Sequence, residues 1–263
     1  MIDADTQARL RQQYNPDSSH LRLHQMRLLE MLEYVDSICR RHDIPYWLSS
    51  GTLLGAYRHG GFIPWDDDVD IEMLDTDYQR FIEVMKNEKS DKYILQTQET
   101  DPGAFVSFAK LRELNSAFHE SNGWDRHMKY QGRFIDIFRL SPSSSLWIHR
   151  IVRKIFGLEI RIKVYAHNLK ILNICTHFVF HKGIYPLLRM LSKINAGGQL
   201  RHYIPTTFVA LRCKDEIFPL REIEFEGKCF SAPYDIEAYL NRMFNGDISL
   251  PEPEKIMTHS DNI

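Results

Sequence analysis

The sequence predicts an α/β fold, a small mixed sheet with helices packed on it. Three observations carry that prediction. Apolar residues recur at helical spacing from 18 to 41 and again from 76 to 87. Around them lie short runs of strand character at 45–49, 68–73, 93–96, 104–111 and 134–138. Strands interspersed with helices in this order lay the helices against a sheet. At 263 residues the chain is long enough to bury a substantial core, as one large domain or as a domain with an elaborate insertion.

Each element has a local cause. Pro16-Asp17-Ser18-Ser19 is a helix start with Ser18 or Ser19 as cap, and Leu21, Leu28, Leu32, Val35 and Cys39 form the stripe behind it. Asp43 and Pro45 interrupt that helix after about Arg41. Pro45-Tyr46-Trp47-Leu48-Ser49 is aromatic and bounded by turn residues, as a short buried strand is. A short helix starts at Gly51 and ends at Gly60-Gly61. Asp68 to Met73 alternates acidic and apolar residues, the period of a half-buried strand. Tyr78, Phe81, Ile82 and Met85 mark one face of the next helix.

Residues 141–205 differ in character. A Ser-rich turn at 141–145 leads into a basic, apolar segment with ten Lys or Arg and one acid, Glu159, an excess of about nine positive charges in a chain of net charge −2. The near-neutral total argues against a nucleic-acid partner. The four cysteines are scattered, with no Cys-x-x-Cys pair, so a reducing compartment is the default and a zinc or disulfide framework is disfavoured. The acidic start does not read as a signal peptide, and no apolar run reaches the ~18 residues of a membrane span. The nearest run, 171–180, reads as a buried or interfacial helix.

The chemistry concentrates between Ser49 and Ile71. Asp66, Asp67, Asp68 and Asp70 crowd four carboxylates into five positions between apolar flanks, a repulsion that a bound cation relieves. Asp68 and Asp70, two apart on a strand, leave the same face. Hard oxygen donors without nearby sulfur or imidazole favour Mg²⁺, with Mn²⁺ as the alternative ion. Asp136, a lone carboxylate in the apolar strand 134–138, completes a three-carboxylate cluster if its strand adjoins that of Asp70. Gly51 and Thr52 open a helix whose free N–H groups suit a phosphate, and Ser50 adds a hydroxyl. Lys110 and Arg112 share a strand face and suit charge neutralisation on a diphosphate. The parts together describe a two-metal phosphoryl-transfer site. An EF-hand is the rival reading of Asp66, Asp68, Asp70 and Asp77, but Ile71 stands where that loop needs Gly.

The order Leu53-Leu54-Gly55-Ala56-Tyr57-Arg58-His59-Gly60-Gly61-Phe62-Ile63-Pro64-Trp65-Asp66-Asp67-Asp68-Val69-Asp70 closely resembles the LicD family. That family holds bacterial phosphocholine transferases and the fukutin-type transferases of animals, in the nucleotidyltransferase-fold superfamily. Phe108-Ala109-Lys110-Leu111-Arg112, Ile135-Asp136-Ile137-Phe138 and a C-terminal block around Phe218-Pro219-Leu220, Phe225-Glu226-Gly227 and Tyr239-Leu240 extend the resemblance. Two departures are Arg139, where Pro is usual, and Asn245, where Tyr is common.

The resemblance implies a nucleotidyltransferase-like catalytic core over 1–140 with an N-terminal helix, a basic helical insertion over 141–205, and 206–263 as the C-terminal part of the same domain. It implies Mg²⁺-dependent transfer of phosphocholine from CDP-choline to a sugar hydroxyl of a surface glycan or lipopolysaccharide, with release of CMP. The donor is thus a CDP-linked alcohol and the acceptor a glycan or glycolipid; ribitol, glycerol or ethanolamine donors are the alternatives. Asp68, Asp70 and Asp136 would be the catalytic metal ligands, with Asp136 also drawing a proton from the acceptor. Gly51 and Thr52 would contact donor phosphate, with Arg58 and His59 in the same motif. Choline recognition favours an aromatic cage, for which Trp47, Trp65, Trp124 and Trp147 are available. The expected location is cytoplasmic, with 141–205 either covering the site or contacting the inner face of an anionic membrane. A non-catalytic glycan- or membrane-binding module is the reading from another class.

Overall fold

The computed structural model describes residues 2–104, 107–116, 118, 125, 128–165, 169 and 175–251. The chain opens with a helix that apolar periodicity does not announce, α1 (Ala4–Tyr14), which buries none of its residues and is capped by Asp3. Next comes the long α2 (His20–Arg41). Ser19 caps it, its hydroxyl accepting from the Arg22 N–H at 3.0 Å. A short β1 (Trp47–Leu48) leads into α3 (Ser50–His59), which Gly60 closes at φ 67°, a conformation open to residues without a Cβ. Then follow β2 (Asp70–Leu74), α4 (Asp75–Asn87), β3 (Tyr93–Gln96), β4 (Ala109–Glu113) and the nine-residue β5 (Phe134–Pro142).

These strands form one mixed sheet in the order β1-β2-β5-β4-β3. The pair β2–β5 is parallel; the remaining neighbours in that row are antiparallel. The fold is α/β, a curled sheet flanked by helices. Strand alternation divides the labour between its faces. Ile71, Met73, Leu95, Ala109, Leu111, Ile135 and Ile137 are buried in one core cluster with Leu28, Leu32 and Val35 of α2. The opposite face carries Gln96, Lys110, Asp136 and Asp70 in register across four strands. Polar groups in such a row are stable only if they satisfy one another or a ligand.

Several expected boundaries shift. Strand β2 begins at Asp70, so Asp68 precedes the strand instead of sharing it. The strand expected over 104–111 is β4, five residues from Ala109; Ala104 instead closes a turn onto the Asp101 carbonyl at 2.9 Å. Strand β5 runs through the Ser141-Pro142 turn because β6 (Gln199–His202) pairs with it there, beyond Leu140 where the β2 ladder ends.

Between β5 and β6 lie α5 (Leu146–Tyr165), a π-helical stretch (Phe178–Ile184) and α6 (Tyr185–Ser192) around a second apolar cluster of Val152, Phe156, Ile160 and Tyr185. Glu159, the lone acid of this basic segment, is buried there; its carboxylate accepts from Tyr185 OH at 2.9 Å and lies 2.9 Å from His181 Nε2. Phe178 and Val179 are exposed, so this part of the apolar run 171–180 is not core. Trp124, Lys170, residues 171–174 and 252–263 lie outside the described residues. Among the described residues no helix is long and apolar enough to cross a membrane.

After β6 come β7 (Arg212–Cys213), α7 (Lys214–Ile217), the hairpin β8 (Arg221–Phe225) and β9 (Lys228–Ala232), and α8 (Ile236–Met243). Strand β7 joins the main sheet through β6, while the hairpin is a separate two-stranded sheet.

Candidate active site

Asp70 and Asp136 are register partners on the parallel pair β2–β5, so their side chains leave the same sheet face side by side. The expectation that the Asp136 strand adjoins that of Asp70 is therefore met. Both line a cavity of about 830 Å³ together with Ser50, Gly51, Asp66 and Asp68. The backbone holds this corner by short links. Asp70 N–H donates to Thr52 Oγ1 at 2.9 Å, Ser49 N–H to the Asp70 carbonyl at 3.0 Å, and Asp136 N–H to the Val69 carbonyl at 2.8 Å. Strand β2, strand β5 and the start of α3 thus meet at one point.

The first residue of α3 is strained. Ser50 sits at φ 49°, in the left-handed region that a non-glycine residue occupies at a cost of about 1 kcal/mol or more. Its hydroxyl favours the ionised form of Asp70, against the larger effects of burial and of Asp68 and Asp136. Gly51 follows. A Cβ built on it would stand 2.6 Å from Asp66 Oδ2, so the absent side chain is what lets Asp66 close over the helix start. Burial, then the neighbouring Asp68 and Asp67, push the Asp66 carboxyl well above its usual range. Burial, then Asp68 and Asp136, do the same at Asp70. These carboxylates repel one another in a place shielded from water.

The remaining sequence-derived residues are placed differently. Lys110, opposite Asp136 on β4, puts its Nζ 2.9 Å from Asp136 Oδ1 and 3.5 Å from the centre of the Phe134 ring. It faces a protein carboxylate. Arg112 is fully buried and donates to Gln96 Oε1 at 2.8 Å and to the Gly132 carbonyl at 2.9 Å. Thr52 is buried under Asp70 and does not line the cavity. Arg58 and His59 tie down the two ends of the chain. Arg58 Nη1 donates to the Ile248 and Ser249 carbonyls, and His59 Nδ1 meets Gln7 Oε1. Burial, then the Arg58 charge, pull His59 down to about 3, so it is a neutral ring.

One side of the cavity is a buried polar wall that no local sequence signal announces. Glu72, two residues beyond Asp70, accepts from Trp47 Nε1 at 3.1 Å, Tyr239 OH at 2.6 Å and Arg212 Nη2 at 2.8 Å. Arg212 Nε also donates to Tyr239 OH at 3.0 Å. Burial alone would raise the Glu72 carboxyl, but the Arg212 charge and these hydrogen bonds outweigh it and hold it below its usual range. Arg212 lines the cavity, as do His202, Phe138, Phe208 and Phe244. Burial pulls His202 down to about 3, so it packs as a neutral ring against Phe138 and Phe208, with ring centroids at 5.0 and 4.9 Å. Among the four tryptophans weighed as a cage, Trp65 lines the cavity, Trp47 is buried beneath Glu72, and Trp147 is exposed on α5.

A mixed sheet with helices on it and an acidic cluster beside a helix start defines an α/β fold of the nucleotidyltransferase type. Residues 43–152 match the family described as LicD/FKTN/FKRP, nucleotidyltransferase domain. The similarity to that family thus lies in residues 43–152. It is 28% identical to the lipopolysaccharide cholinephosphotransferase LicD of Haemophilus influenzae over 91% of this chain and 95% of that protein. Over shorter stretches it is 50% identical to the human ribitol 5-phosphate transferase FKRP, across 17% of this chain and 9% of that one. It is also 38% identical to the mouse ribitol-5-phosphate transferase FKTN, across 26% and 15%.

Proposed function

We propose that the protein transfers phosphocholine from CDP-choline to a sugar hydroxyl of a surface glycan or lipopolysaccharide, releasing CMP, with Mg²⁺ or Mn²⁺ as cofactor. The observation that carries this reading is the register pairing of Asp70 with Asp136 in a cavity that also holds Asp66 and Asp68. By its chemistry the donor set suits a hard cation. It is all carboxylate oxygen, and a cation would offset the burial, and then the mutual repulsion, that raise Asp66 and Asp70. Asp68, Asp70 and Asp136 would hold the ion, which supplies charge neutralisation to a diphosphate and polarises its phosphorus centre.

The chain's own groups supply the remainder. The acceptor oxygen attacks the phosphorus bearing choline while the bond to the CMP oxygen breaks, and CMP leaves with that electron pair. Asp136 takes the acceptor proton, and Lys110 Nζ, 2.9 Å from Asp136 Oδ1, holds that carboxylate in place. Backbone N–H groups at Gly51 and the Ser50 hydroxyl orient donor phosphate. Trp65, Phe138, Phe208 and Phe244 offer ring faces to the trimethylammonium group. The similarity to a cholinephosphotransferase along nearly the whole chain supports this donor. The high local identity to ribitol-phosphate transferases supports CDP-ribitol as the second reading.

The test is CMP release from a panel of CDP-alcohols with a glycan acceptor, with and without Mg²⁺. Metal-dependent release from CDP-choline is expected, abolished by chelation, and reduced about a thousandfold in Asp70→Asn with its melting curve preserved. Release from CDP-ribitol alone would replace the donor. Donor binding without turnover in any combination would mark a binding module.

A further inference from the structure

Helix α5 is apolar on two opposite sides. At about 100° per residue, Trp147, Ile151, Leu158 and Tyr165 fall within about 40° of one another, and they are between 47% and 84% exposed. Val152, Phe156 and Ile160 lie on the far side of the same helix, buried in the second cluster. A helix whose core-facing stripe is already satisfied has no folding reason for a second one. The bases Arg150, Lys154 and Arg161 are exposed along one border of the outer stripe. Helix α6 repeats the arrangement. Tyr185 and Ser192 face inward, while Leu187, Met190 and Leu191 are exposed, with Ile194 and Lys193 just beyond the helix end.

We infer that this face docks on the surface of an anionic lipid bilayer. Charge selects the occupant. A segment with an excess of about nine positive charges is attracted by anionic headgroups, whereas a second copy of the chain would bring the same charges against it. Trp147 and Tyr165 stand at the two ends of the stripe, about 27 Å apart along the helix, and both are residue types that settle at headgroup depth. An amphipathic basic helix lying in the interface buries its apolar stripe without crossing the bilayer. Docking rests on the proposed transfer only for the nature of the acceptor, a glycolipid presented at the same surface.

The test is sedimentation of the full chain with vesicles of phosphatidylcholine alone or mixed with phosphatidylglycerol, alongside its elution volume without lipid. Co-sedimentation with the anionic vesicles only, weakened by salt, is expected. Trp147→Ser with Leu158→Ser should lower the partition coefficient tenfold or more, and Lys154→Glu with Arg161→Glu should do the same, while Trp147→Phe keeps it. These side chains are exposed, so circular dichroism should match the parent chain. Three results would overturn the inference: no sedimentation with either vesicle, sedimentation indifferent to both double variants, or a dimer in solution that Trp147→Ser with Leu158→Ser splits. CMP release by the same variants on a detergent-dispersed acceptor reads the transfer reaction separately.

Discussion

At the scale of the residue, Gly51 decides how closely the carboxylates gather. A methyl at this position would displace Asp66 from the helix start, because the nearest Asp66 oxygen stands 2.6 Å from where that methyl would be. Gly51→Ala is therefore expected to cut metal-dependent CMP release by about a hundredfold, since displacements near 1 Å carry that cost. Its thermal midpoint should stay close to the parent's, because Asp66 belongs to the cavity wall and not to the apolar core. Turnover and melting, measured on one preparation, check both halves. The Asp run and the small-residue turn were plain in the sequence. The part played by Asp66 was not, because strand parity singles out Asp68 and Asp70, whereas the strand starts only at Asp70 and the preceding residues reach the cavity from a loop.

At the scale of the element, helix α2 is tied to the β8–β9 hairpin through Glu226. Arg22 reaches it with Nη2 at 2.6 Å and Nη1 at 3.0 Å, and the Phe62 N–H donates to it at 3.0 Å. Burial would raise this carboxyl, but the Arg22 and Phe62 hydrogen bonds and the Arg22 charge outweigh it and lower it. The folded group thus titrates below its unfolded value of 4.5. Its stabilisation is complete above that pH and is lost as pH falls through the folded value. Glu226→Gln should cost about 2–3 kcal/mol at pH 7 and much less at pH 3, read from urea unfolding at both. The helices themselves were legible, since Ser19 and Gly60 mark ends that local chemistry dictates. Helix α1 was not, because it buries no residue and so leaves no stripe.

At the scale of the whole molecule, long-range contacts finish what local signals begin. Glu72 finds Arg212 and Tyr239, 140 and 167 positions away, and nothing near any of the three foretells that meeting. Arg58 and His59 sit in the most informative stretch of the chain, yet their contacts run to Ser249 and Gln7 near its two ends. Truncation after Gly246 removes the carbonyls that Arg58 serves and leaves a buried guanidinium short of acceptors. A loss of about 2 kcal/mol in unfolding free energy is expected from chemical denaturation of the shortened chain.

The path into and out of the basic helices has a consequence of its own. Ser143 N–H donates to the Gln199 carbonyl at 3.0 Å, and the ladder pairing Leu140 with His202 continues from that point. More than fifty residues thus leave the sheet and return to it at neighbouring positions, as the tip of one very long hairpin. Closing a longer or shorter excursion over the same two anchor points changes the closure entropy only slowly. The proposed chemistry and the proposed docking surface can therefore diverge separately: an exchange of the excursion would alter the outer face of the basic helices while the carboxylates on β2 and β5 keep their alignment.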